Sequence, residues 1–199
     1  MVAVAPDGGD GRVARGRRTR SAIVAATLAL VDAGDAAPTA RRIAARAGVS
    51  ERAFYLHFPD LESVHAAVAE SFLGLAAAGV VAVDPGLPLP LRLGRFCGQR
   101  AALLERITPL RRVAQRYEQG SPALQAGRRR WSALSRREIS RVFAAELRAR
   151  PRPQLTLSAA LAATGWGAWD DLRTEQGLAV EEAATAMELA LQRVLSVGR

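Results

Sequence analysis

The chain has 199 residues, a net charge of +9 and 28 basic side chains, every one of them Arg. About half the residues are apolar (49%), which supplies a sizeable core and excludes an intrinsically disordered chain. The single Cys97 excludes an internal disulfide and reads as a small buried hydrophobe. The longest uncharged stretch, residues 153–169, falls short of the ~20 residues a membrane span needs.

Residues 1–20 hold no apolar central region, so no secretory signal is expected and the protein is expected in the cytoplasm, with no membrane partner. Ala is very common, Ala, Leu, Arg and Glu are strong helix formers, and the expected fold class is all-α. Residues 1–16, rich in Gly and Arg, read as a flexible arm. A helix is predicted over 17–33, where Ile23, Ala26, Thr27, Leu30 and Val31 recur at helical spacing, with Gly34 as its stop. Thr39 is placed to cap a short helix over 40–47 that turns Ile43 inward, and Gly48 breaks it. Ser50 caps a third helix over 51–57, with Glu51 near the positive end of its dipole. Phe58-Pro59-Asp60 ends that helix and opens a fourth over 61–83. Pro85, Pro88 and Pro90 stiffen the next segment, and further helices are predicted over 91–107, 109–118, 122–149, 154–175 and 180–197. The expected organisation is an arm (1–16), a three-helix domain (17–60) and a larger helical domain (61–199).

Residues 39–58 carry the function. Two short helices joined by Ala47-Gly48-Val49-Ser50 make a helix-turn-helix. Val49 and Phe54 point back toward Ile43, and Phe54 and Phe58, four residues apart, share one face. Arg52, Tyr55 and Leu56 share the other, on a helix short enough to enter a major groove about 12 Å wide. The helix starts at Thr39 and Ser50 can meet phosphate oxygens through backbone N–H groups.

These residues resemble the TetR family of repressors. The resemblance rests on Ile43-Ala44-Ala45-Arg46-Ala47-Gly48-Val49-Ser50 and Phe54-Tyr55-Leu56-His57-Phe58-Pro59, extends through residues 19–26 and 62–64, and covers about residues 17–70. It implies a homodimer on a pseudo-palindromic double-stranded operator, displaced when a small-molecule effector binds. The expected DNA-binding residues are Arg17, Arg18, Thr39, Arg41, Ser50, Arg52, Ala53, Tyr55, Leu56 and His57. Tyr55 is expected on phosphate, Arg52 on a guanine edge. Arg52-Ala53 departs from the family's frequent Gly-Thr and removes a hydroxyl that commonly touches phosphate. Leu61 replaces a frequent Lys, which puts that phosphate contact in doubt; Arg side chains over 12–20 would compensate from an arm in the minor groove, or simply form a solvated tail. His65 reads as an ordinary packed or exposed side chain.

Beyond residue 90 the sequence is less specific. The expected ligand-binding residues are Phe96, Arg100, Leu103, Leu104, Tyr117, Trp131, Phe143 and Trp166, although tryptophans are more often core. Fifteen Arg stand against four Glu between residues 92 and 150. A solvated helix surface, long-range attraction to DNA, and an anionic ligand paired with a buried Arg100 all account for this excess. Leu157, Ala160, Leu161, Thr164 and Ala168, with Val180, Ala184, Met187, Leu191 and Val194, form two stripes suited to a four-helix dimer interface, or to the subunit's own core. No phosphate loop, paired Cys, His-Glu-x-x-His or Gly-x-Ser-x-Gly occurs, so neither an enzyme nor a cofactor or metal is expected. The alternative to a regulator is a small-molecule binding or sequestering protein with weakened operator binding.

Overall fold

The computed structural model describes residues 8–35, 37–79 and 81–196, and these contain helices and no strand. In order they are α1 (Gly8–Asp32), α2 (Ala40–Ala47), α3 (Glu51–His57), α4 (Leu61–Gly79), α5 (Leu89–Tyr117), a 3-10 turn (Glu118–Gly120), α6 (Pro122–Val142), α7 (Ala144–Arg148), α8 (Pro153–Ala163), α9 (Trp166–Thr174) and α10 (Val180–Leu195). They form two compact units. The first holds the residues up to Leu73 with Pro109–Gly127; the second holds Gly74–Thr108 and the residues from Arg128 on. The boundaries fall inside helices, at or beside Gly74, Pro109 and Gly127, two residues of poor helix propensity and one that cannot donate a backbone hydrogen bond.

The first unit closes around Ile23, Ala26, Ile43, Ala44, Phe54, Phe58, Val64 and Val68, with Leu110 of α5 packed against them. The periodic apolar face expected of α1 is the face that is buried. The flexible arm expected over 1–16 is corrected in part: residues 8–16 continue α1 as helix, while residues 1–7 lie outside the described residues. Apolar periodicity is absent there, but Arg has a high intrinsic propensity and extends a helix already nucleated by the packed turns behind it. Glu62 of α4 accepts from Ser121 Oγ at 2.6 Å and from the Ala123 N–H at 2.7 Å, at the start of α6. Burial alone would raise its carboxyl pKa; those two donors and nearby His65 outweigh that and hold it below its ordinary value.

In the second unit Leu93, Phe96, Leu104, Ile139, Val142, Phe143, Trp169, Met187 and Leu191 are buried, and Phe96 meets Phe143 edge-on at 5.4 Å. Several predicted helices have other bounds. The helices expected over 91–107 and 109–118 are one, α5, because Pro109 is tolerated inside it; Thr108 Oγ1 donates back to the Leu104 carbonyl at 2.8 Å. The helix expected over 122–149 breaks at Phe143, where the Val142 carbonyl accepts from Arg92 Nη1 at 2.7 Å. The helix expected over 154–175 breaks at Thr164-Gly165: a Cβ on residue 165 would stand 2.9 Å from the Leu161 carbonyl oxygen. The fourth helix ends at Gly79, and Val83 is buried outside it.

The two expected interface stripes are largely spent within the unit. Leu157, Ala160, Thr164, Met187 and Leu191 are buried in the single chain, because α8 and α10 pack on each other. The outward apolar side chains on these helices are instead Leu155, Ala159 and Ala162 of α8 and Leu189 and Ala190 of α10, with Leu155 61% and Leu189 57% exposed.

Two buried ion pairs staple the second unit. Arg92 grips both Glu146 carboxylate oxygens at 2.9 and 2.5 Å and also donates to the Leu87 carbonyl at 2.8 Å. The hydrogen bonds to Arg92 hold the Glu146 carboxyl below its ordinary value. Arg100 donates to Ser135 Oγ at 2.9 Å and Glu138 Oε2 at 2.7 Å, between the faces of Phe96 and Trp131. Burial pushes the Arg100 pKa down and Glu138 partly restores it. Cys97 is buried, and its thiol is pushed up to about 12 by burial and by Glu188, which leaves it an inert protonated side chain.

Candidate DNA-binding interface

The pair α2–α3 has the expected bounds because both caps act as the sequence implies. Thr39 Oγ1 accepts from the Arg42 N–H at 3.3 Å, and Ser50 Oγ from the Ala53 N–H at 3.1 Å. Gly48, at φ +68°, takes the left-handed conformation that closes α2; its N–H bonds to the Ala45 carbonyl at 3.2 Å, and the Val49 N–H to that of Ala44 at 3.0 Å. This reversal of direction lets both helices share one core. α3 is anchored by Phe54 and Phe58, both fully buried, with ring centroids 6.1 Å apart.

The opposite face of α3 is open. Arg52 is exposed, Tyr55 is 51% exposed, and Leu56, at 81%, is the most exposed large apolar side chain among the described residues. Ala53 and His57 are half-buried at its edge. Arg41 of α2 is exposed, with Glu51 at 3.9 Å, and the cap residues Thr39 and Ser50 are exposed as well. Arg17 and Arg18 are exposed on α1 as part of a helix rather than of an arm. A methyl group at Gly16 would stand 3.7 Å from His57 Cε1, so this stretch of α1 runs beside the end of α3. All ten expected DNA-binding residues therefore lie in the first unit.

One contributor escaped the sequence reading. Arg20 donates through Nη1 to the His57 carbonyl at 2.9 Å and lays its guanidinium 4.1 Å from the centre of the Phe58 ring. It caps the C-terminal end of α3 from α1 and fixes the angle at which the helix is offered. Its signal was present only as one Arg in a run of five between residues 12 and 20.

Residues 23–68 match the model of the bacterial regulatory proteins of the tetR family. These residues thus carry a domain of the tetR-family type. The fold of the chain is also seen in solved structures, of which two are these. One is a transcriptional regulator from Rhodococcus sp. Rha1, 19% identical, with a TM-score of 0.71 over 90% of this chain and 95% of that one. The other, described as a TetR-family transcriptional regulator, is from Mesorhizobium loti MAFF303099; it is 17% identical, with a TM-score of 0.60 over 91% of this chain and 96% of that one. No curated protein sequence matches the chain. None of its helices, among the described residues, is long and apolar enough to cross a membrane.

The eight expected ligand-binding residues are divided between the two units. Tyr117 lies in the first unit, the other seven in the second. Phe96, Leu103, Leu104, Phe143 and Arg100 are buried, while Trp131 and Trp166 are half-buried. Trp166 Nε1 donates to Thr108 Oγ1 at 3.2 Å. The partner that an anionic ligand would have supplied to Arg100 is already present as Glu138.

Proposed function

We propose that this protein is a sequence-specific transcriptional repressor, acting as a homodimer on a pseudo-palindromic operator and released by a small molecule. The observation that carries the reading is the outward face of α3. A seven-residue helix set on a fully buried Phe54–Phe58 base presents Arg52, Tyr55 and Leu56 to solvent, and an 81% exposed Leu56 has no role within the chain. Such a helix fits a major groove, where a guanidinium reads guanine and an apolar group meets a thymine methyl. Arg17, Arg18 and Arg41, together with the N-terminal ends of α2 and α3, surround that face with donors for phosphate oxygens. Dimerisation would use the outer side of α8 around Leu155, Ala159 and Ala162, where small residues allow close approach. The protein works by binding rather than catalysis, in the cytoplasm.

The test is selection of bound DNA from a random pool. A two-fold symmetric site is expected. Arg52→Ala should relax one base position per half-site, at a cost of ~1–3 kcal/mol. Tyr55→Phe should weaken all sequences about equally. If nothing is enriched over input, the operator-binding reading fails and a ligand-sequestering protein replaces it.

A further inference from the structure

The first unit holds a partly open cavity of about 290 Å³ that the helix-turn-helix reading does not use. Its walls come from α1, the start of α2, α4, the last turns of α5 and the first of α6; Val31, Ile43, Val64, His65, Ala114 and Tyr117 mark its sides. All of these residues belong to the one unit. The volume sits at the lower end of the range for small-molecule sites, about 300 Å³.

The chemistry of the walls is one-sided. The lining is overwhelmingly apolar, and the Thr27 hydroxyl within it is already spent on the Ile23 carbonyl at 2.9 Å. His65 is the exception. Its Nδ1 is buried and has no hydrogen-bond partner. Glu62 Oε2 stands 3.6 Å away, beyond hydrogen-bond distance, and receives the Ser121 hydroxyl. Water needs two to four polar partners to settle in such a space. His65 and Tyr117 form a ring pair with centroids 5.9 Å apart and a tilt of 35°, which gives the cavity a flat aromatic side. The carboxylate of Glu62 beside His65 disfavours an anion.

We propose that this cavity is an effector site for a small, uncharged, planar apolar molecule carrying one hydrogen-bonding group, which His65 meets. The proposal rests on the DNA-binding reading for its output. Ile43 belongs to α2, and α2 holds α3 through the Gly48 turn, so the occupant touches the helix that sets the recognition face. Occupancy and operator affinity are then coupled inside one compact unit, and the coupling is reciprocal.

5-Fluoroindole, followed by ¹⁹F NMR and calorimetry on the full chain, is the probe, with fluorobenzene as its apolar control. The expected result is saturable binding of one 5-fluoroindole per chain. Ala114→Phe, which fills the cavity, should weaken it at least tenfold. His65→Phe, which keeps the ring and removes the polar atom, should weaken 5-fluoroindole and leave fluorobenzene unchanged; circular dichroism checks that each variant is folded. Saturating 5-fluoroindole should change the affinity for the selected operator at least threefold. Non-saturable uptake, saturable binding indifferent to both variants, or an unchanged operator affinity would each overturn the proposal. An operator selected from the random pool by a protein that does not bind the probe leaves the repressor reading standing and removes this one. Probe binding without any selected operator removes the repressor reading and the effector role with it, and leaves a ligand-sequestering cavity.

Discussion

Replacing Gly48 isolates the contribution of one backbone angle to the recognition motif. At φ +68° an L-residue with a Cβ is strained by roughly 1–2 kcal/mol. A Cβ at this position would have no neighbour within 4 Å, so no steric cost adds to that figure. Part of the strain is offset because Ala also restricts the unfolded chain, by about 0.4–1 kcal/mol. The expected net loss for Gly48→Ala is therefore about 1 kcal/mol. Gly48→Asn should cost less than Ala, since Asn visits the left-handed region more readily, and Gly48→Val should cost more, since β-branching is least compatible with it. Urea denaturation followed by helical ellipticity measures the ordering, with midpoints compared at equal slope. Because the strain is local and the exposed face of α3 is untouched, operator affinity of the folded Gly48→Ala protein should stay within a few-fold of the parent. An Ala variant as stable as Gly, or an Asn variant as damaged as Val, would refute the assignment of the cost to backbone conformation.

Arg20→Ala should weaken binding to every DNA sequence alike, since it frees the end of α3 without touching a base-reading group; a selective change at one base position in a binding assay would contradict that role. Glu146→Leu strands the Arg92 guanidinium in the second unit and should cost ~3–5 kcal/mol in chemical denaturation. The Glu146 carboxyl lies below its ordinary value of 4.5 when folded, so its contribution is present above that value and fades as pH falls through the folded pKa; an acid-unfolding midpoint unchanged in the variant would exclude it. The Arg100–Glu138 pair should respond asymmetrically. Arg100→Met leaves a carboxylate that is 23% exposed and can hydrate, whereas Glu138→Leu leaves a guanidinium only 4% exposed without its charge partner, so the second should be the more destabilising by thermal melting.

The parts of the site governed by local chemistry were legible in the sequence. Thr39, Gly48 and Ser50 define α2 and α3 to the residue, because a cap hydroxyl and a left-handed glycine act within one turn of chain. Longer-range choices were not. Whether Pro109 breaks α5, or whether Phe143 and Thr164 interrupt longer helices, depends on what packs beside them: Arg92 of a distant segment meets the carbonyl at the Phe143 break. The partners of Arg92 and Arg100 lie 54 and 38 residues away, so an excess of Arg over Glu could not say which guanidiniums were already paired. Periodicity located Leu157 and Met187 on helix faces, but a face that meets its own chain carries the same pattern as one that meets a partner. Arg20 was hidden for the opposite reason, as its neighbours in sequence carry the same charge and only geometry distinguishes it.

A chain whose every cation is Arg lives in two electrostatic climates at once. Arg92 and Arg100 are themselves buried, and their attraction to the half-buried Glu146 and Glu138 is screened far less than that of an exposed pair. Arg17, Arg18, Arg41 and Arg52 stand in open water, where any phosphate contact they made would release a condensed counterion and weaken as salt rises. Ionic strength therefore acts on one half of this economy and spares the other: the protein can be washed from a polyanion by salt that leaves its helices intact.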